Sequence, residues 1–170
     1  MLARNELILK WTIYAAATAV WFLVQGAVCQ RITLWGVIPF LYPMLAAIPA
    51  TFEAPVSATI FALCLGVICD LLLPDATPCL YTLIFPLIGL SASLMAQSLL
   101  PAGMLCSLVV SVMAFLLTDL FRCFLLFLNG ISPWEAGVSI FLRELAVTAP
   151  LLVPVTLLYR VVYRKTHIYD

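Results

Sequence analysis

Residues 104–127 read MLCSLVVSVMAFLLTDLFRCFLLF, with one acid, Asp119, and one base, Arg122, in an otherwise uncharged run that has no proline or glycine. A bilayer core needs about 20 consecutive apolar residues per helix, and this stretch supplies them. It reads as a membrane span. Working outward, Asn129-Gly130 ends it, and Pro101-Ala102-Gly103 separates it from a preceding span at about 80–100. The tight turn Pro74-Asp75-Ala76-Thr77-Pro78 sets off another at about 56–73, which itself follows the turn at Glu53 and Pro55. The first span, about 9–29, ends at the polar pair Gln30-Arg31. Between them, 33–51 carries Pro39, Pro43 and Pro49. Each proline removes a backbone donor and crowds the preceding turn, so this span is expected to be bent or broken. The last span, about 136–161, opens on Ser132 as N-cap, Pro133 at the first helical position and Glu135 three residues after the cap. Pro150 and Pro154 are expected to kink it.

The expected fold is therefore an all-α integral membrane bundle of six transmembrane helices, a single domain over 1–170. Composition agrees. Hydrophobic residues make up 65% of the chain and charged ones 9%, against about 25% charged in a typical globular protein, too few to coat a water-facing surface. Mean hydropathy is +1.19. Eight bases balance eight acids, so no global field attracts nucleic acid, which is excluded as a partner. The apolar stretch after Lys10 runs to Val28 and further spans follow, so it is an uncleaved first helix, not a secretory signal.

Orientation follows the basic flanks. Arg4, Lys10, Arg160, Arg164 and Lys165 fall on the side that carries both termini, whereas the opposite loops hold only Arg31 clearly. Both termini are expected in the cytoplasm. Arg160, Arg164 and Lys165 form a juxtamembrane patch suited to anionic membrane lipid. Trp11, Trp35, Trp134, Tyr159 and Tyr163 lie near span ends as interfacial anchors.

Five charges fall within the spans: Asp70, Asp119, Arg122, Arg143 and Glu144. Each ionised group near mid-membrane costs about 2.5–3.5 kcal/mol, so such residues face the bundle interior and find partners. Helical rise puts Asp70 about 8 Å, Asp119 about 6 Å and Arg122 about 10 Å to the outer side of their span centres, with Arg143 and Glu144 at about 6–8 Å. All five thus share the outer half. Asp119 and Arg122, three apart, lie on one helical face, and Arg143 is placed to reach Asp70 or Asp119. Their formal sum is −1, one unmatched carboxylate. Two uses of this level stay open: ion pairs that only fix helix order, or a pocket for a ligand or a partner's helix. Small residues mark a second surface, since Ala15 and Ala19, one turn apart, let another helix pack closely, as do Ala62 and Gly66.

Catalytic signatures are absent: no H-E-x-x-H, no G-x-S-x-G and no Walker loop. The sole histidine, His167, lies in the tail, and none of the six cysteines sits in a C-x-x-C pair, so no metal and no cofactor is expected. Most of the cysteines sit in apolar runs, where they behave as small hydrophobes. Cys29 and Cys79 both fall near outer ends, which leaves a bridge between them open.

The stretch Leu65-Gly66-Val67-Ile68-Cys69-Asp70-Leu71-Leu72 resembles the G-x-x-x-D-L-L signature of the MreD rod shape-determining family. Upstream, Pro39-Phe40-Leu41-Tyr42-Pro43 and the turn at Pro55 are similar to that family's approach to its motif helix. Downstream, Phe141-Leu142-Arg143-Glu144 through Tyr159-Arg160 is similar to its terminal helix. The likeness covers about 32–165. It departs after the aspartate, where the family often has a glycine and this chain has Pro74-Asp75-Ala76-Thr77-Pro78. The resemblance implies a non-enzymatic component of the bacterial inner membrane. Its implied partners are the bitopic MreC protein and, in the same elongation assembly, a peptidoglycan polymerase and transpeptidase. The family's fold is similar to the substrate-binding subunits of energy-coupling-factor vitamin transporters. That likeness gives the alternative function, solute binding in the outer half.

Overall fold

The computed structural model describes residues 4–73, 79–128, 130 and 134–166, with side chains described for 8–73, 79–128, 130 and 138–166. The turn at 74–78, the residues Ser132 and Pro133, the Glu135 side chain and His167 lie outside the described residues.

The described residues form six α-helices and one 3-10 turn: α1 (Arg4–Ala27), the turn Cys29–Arg31, α2 (Tyr42–Ala50), α3 (Pro55–Leu72), α4 (Leu80–Ser98), α5 (Met104–Leu128) and α6 (Trp134–Thr166). No strand occurs among the described residues; two reciprocal hydrogen bonds of 3.0 Å join Leu34 and Val37 around Trp35 and Gly36, both at positive φ. Among the described residues, five helical stretches are long and apolar enough to cross a membrane: Ile8–Arg31, Pro55–Leu72, Leu80–Ser98, Met104–Leu128 and Val138–Thr166. Their outer faces carry large exposed hydrophobes such as Leu23, Val56, Leu71 and Leu105. Apolar surface of this extent needs lipid as its solvent. The chain is a multi-pass membrane protein.

The segment 33–51 is helical only over Tyr42–Ala50, nine residues, or about 14 Å, less than half a bilayer core. Its prolines explain the shortening. Pro39 lies in the non-helical approach, Pro43 occupies the first turn, where a missing N–H costs nothing, and Pro49 falls one residue before the end. All nine residues of α2 are buried, packed among α3, α4, α5 and α6. Tyr42 also meets Phe22 of α1 at 4.9 Å between ring centroids. A short helix that is apolar all round is stable only as a core element, and α2 is the axis of this bundle.

The approach to α2 threads between α1 and α6, where its backbone groups must find partners inside the protein. Gln25 of α1 supplies two of them: its amide donates to the Pro39 carbonyl at 2.7 Å, and its oxygen accepts the Leu41 N–H at 3.1 Å. Thr148 of α6 accepts the Phe40 N–H at 3.2 Å. By contrast, α6 runs unbroken through Pro150 and Pro154.

The two ends of the bundle are distinguished by their contacts. At the near end, Lys10 of α1 pairs with Glu53 between α2 and α3 at 2.7 Å, and Ser93 of α4 donates to the Glu53 carbonyl at 2.6 Å. Tyr14 of α1 meets Tyr159 of α6 at 6.1 Å between centroids, and the Tyr159 hydroxyl is 2.8 Å from that of Thr18. The beginning of α1 and the end of α6 therefore share this end. At the far end stand the end of α3, the beginning of α4, the end of α5 and the first half of α6.

Candidate functional site

Helices α3 and α4 form the most extensive pair in the bundle, and small residues set their separation. A Cβ on Gly66 would stand 2.5 Å from the Tyr81 carbonyl oxygen, and one on Gly89 would stand 2.7 Å from the Ala62 Cβ and 2.9 Å from the Ala58 carbonyl oxygen. Ala58, Ala62, Gly66 and Asp70 recur every fourth position, one stripe along α3, and its first three members give α4 room to approach. The fourth finishes the contact. Asp70 accepts the backbone N–H of Tyr81 at 3.0 Å and of Thr82 at 2.7 Å, and also the Thr82 hydroxyl. These are N–H groups of the first turn of α4, left without helical partners. The N-cap residue itself, Cys79, sits at φ 62 and makes no side-chain cap bond. Asp70 therefore caps α4 from another helix, and its charge is met by the positive end of the helix dipole.

Tyr81 continues the layer inward. Arg122 of α5 donates to its hydroxyl at 2.8 Å and lies over the Phe40 ring at 5.6 Å, a cation–π contact. Asp119 stands 3.9 Å from Arg122, the outer limit of an ion pair, and its second carboxylate oxygen is buried with no hydrogen-bond partner. Glu144 of α6 is buried at 6% exposure, within electrostatic range of both Asp119 and Arg122. Its backbone carbonyl accepts Thr148, which in turn holds Phe40. Two helices, α5 and α6, thus bring together Asp119, Arg122 and Glu144, and Tyr81 of α4 links them to Asp70 of α3. Both carboxylates lie within electrostatic range of the one guanidinium.

Arg143 does not join. The sequence placed it within reach of Asp70 or Asp119, but it is exposed, beside a buried Glu144. Successive helical residues are turned by about 100°, so the two cannot both face inward. Asp70 is already saturated by α4, and Asp119 is paired with Arg122 on its own helix.

Ala15 and Ala19 are exposed, and none of the described helices covers them; they line a lateral groove between α1 and α3. All six cysteines are free, with Cys29 buried and Cys79 exposed. Among the described residues no group of three His, Cys, Asp or Glu side chains is placed to hold a metal ion. Sequence reasoning missed Tyr81, Phe40, Gln25 and Thr148, which satisfy the far-end layer, and the Lys10–Glu53 pair, which closes the near end. Only Gln25 left a signal, as an amide inside an apolar span. Compared with known protein families, with curated proteins and with solved structures, the chain finds no match.

Proposed function

We propose that this protein is a non-enzymatic scaffold of the bacterial cell-elongation machinery, inserted in the inner membrane by six passes with both termini cytoplasmic. Its far-end layer, with the α6 face beside it, docks the bitopic MreC protein and so supports peptidoglycan synthesis and rod shape. The observation that carries this reading is Arg143, a cation on an outward face of α6, inside a stretch long and apolar enough to span. Against lipid such a group costs about 2.5–3.5 kcal/mol, and a polar or acidic group on a neighbouring helix removes that cost. A charge aimed outward suits a side-by-side partner better than a solute enclosed by the bundle. The stretch that carries the family resemblance, Leu65 to Leu72, acts within the fold through Gly66 and Asp70, so it supports the architecture, and the partner contact is assigned to Arg143 with Asp119 and Glu144 behind it.

The test is co-purification of MreC with Arg143→Ala. Retention is expected to fall about tenfold, roughly 1.4 kcal/mol, while the melting temperature of the isolated protein stays put. Undiminished retention would overturn the assignment. Stabilisation of the purified protein by a vitamin, with none from MreC, would replace the scaffold with the transporter reading.

A further inference from the structure

The chain leaves α1 through the Cys29–Arg31 turn, reverses at Trp35 and Gly36, and re-enters the bundle at the buried Pro39. Leu34 and Val37 exchange both backbone hydrogen bonds, and the two residues between them sit at positive φ, 54 for Trp35 and 77 for Gly36. Positive φ at both central residues belongs to a two-residue type I′ turn, whose first position favours Asn, Asp or Gly. A side chain as bulky as Trp is an outlier there. Trp35 therefore contributes its ring and not its backbone, and the residue is 72% exposed. Around it Ile32, Leu34 and Ile38 are exposed as well, so the turn is an apolar tip that carries no acid. At its base Arg31 is exposed, and its side chain makes no hydrogen bond or ion pair among the described residues.

A tether limits how far this tip stands from the bilayer. Gln25 of α1 donates to the Pro39 carbonyl at 2.7 Å, which holds Pro39 at the level of Gln25. The span Ile8–Arg31 has its middle between Ala19 and Val20, so helical rise puts Gln25 about 8 Å and Arg31 about 17 Å to the far side. From Pro39 back to Trp35 is four residues, at most about 14 Å of extended chain. With the span centred, Trp35 stands no more than about 22 Å from the bilayer middle, and tilt of α1 only lowers that figure. The hydrocarbon ends at about 15 Å from the middle and the headgroups at about 20–22 Å. The tip is confined to the membrane and its interfacial layer.

From this confinement we infer that the turn 31–38 docks on the phospholipid interface of the far-end leaflet. Trp35 lies among the esters and headgroups, the layer that suits a ring with one N–H donor and a large apolar body. Arg31 meets a lipid phosphate, the charge that nothing else in its surroundings supplies. Ile32, Leu34 and Ile38 continue into the same lipid the apolar surface that Leu23 and Val28 present along α1. The docking holds whichever end of the bundle faces the cytoplasm, and with or without a scaffold role.

Fluorescence in phospholipid vesicles tests the site. With Trp11, Trp21 and Trp134 changed to Phe, Trp35 is the remaining tryptophan. The vesicles are phosphatidylcholine with phosphatidylglycerol, and carry nitroxide-labelled lipid. Emission is expected to be quenched severalfold more by a nitroxide at the headgroup or upper acyl chain than by one near the chain end or by aqueous iodide. Arg31→Glu, which sets a carboxylate against phosphate, is expected to cut this shallow quenching severalfold. Dominant quenching by iodide or by the chain-end nitroxide would put the ring in water or in mid-leaflet and overturn the inference. A ring shielded from every quencher would show protein over it, a second copy or a partner, and would overturn it equally. Unchanged quenching in Arg31→Glu would overturn the phosphate contact. Where the triple substitution fails to fold, the difference in emission between wild type and Trp35→Asn gives the same reading, since Asn suits the turn.

Discussion

At the scale of single residues, Asp70 and Gly66 do mechanical work. Each is one contact of α3 with the start of α4, and each has a measurable cost of removal. Asp70→Ala strips the cap from Tyr81 and Thr82. It is expected to lower stability by about 1–3 kcal/mol in detergent, with Asp70→Asn recovering part through its remaining oxygen. Thermal melting of the two variants side by side checks this, and equal melting of Asp70→Ala and wild type would contradict the capping role. Gly66→Ala presses a methyl group onto backbone at 2.5 Å, so α4 must move, at a cost of about 1–3 kcal/mol. Gly26 is the contrast, a helical glycine whose added Cβ would meet nothing within 4 Å. Gly26→Ala is expected to be neutral or to stabilise by up to about 1 kcal/mol. The spacing of Gly66 and Asp70 was plain in the sequence. Their target was not, because a carboxylate reads the same whether it meets an arginine or the open end of a helix.

At the scale of elements, α1 is the helix held by polar contacts and aromatic rings. Lys10–Glu53 fastens its beginning, Thr18–Tyr159 its middle and Gln25 its end. The ion pair is buried, with side-chain exposures of 9% and 7%, so breaking it is expected to leave an uncompensated charge. Lys10→Met alone is expected to cost about 3–5 kcal/mol, and Lys10→Met with Glu53→Leu to recover most of it. A double-mutant cycle on melting gives the coupling, and additive losses would show the pair to be independent. Helices α3 to α6 and α1 were legible to within a few residues because unbroken apolar runs admit only one structure in lipid. The span expected at 33–51 was legible as troubled and not as a half-length core helix. Its burial depends on the five helices around it, which no local pattern encodes. Likewise 3.6 residues per turn sends Arg143 and Glu144 to different faces, but depth alone, which placed both at one level, says nothing about direction.

At the scale of the whole molecule, opposite ends carry different chemistry. The near end is closed by a buried ion pair and a tyrosine stack, while the far end leaves two carboxylates around one guanidinium with an outward cation beside them. The six-pass reading is expected to place reporters fused to either terminus in the cytoplasm, alkaline phosphatase inactive and a fluorescent protein bright at both. An active phosphatase at the C-terminus would reverse the assignment of ends and move the partner to the other face of the membrane.

A central α2 with no surface of its own has a consequence for biogenesis. A nine-residue segment wrapped mostly by later helices has little on which to settle as it leaves the ribosome. It must wait, half-threaded behind its proline-rich lead, until α6 arrives to close the ring. Chains truncated ahead of α6 would hold that segment unsheltered, and quality-control proteases would find them first.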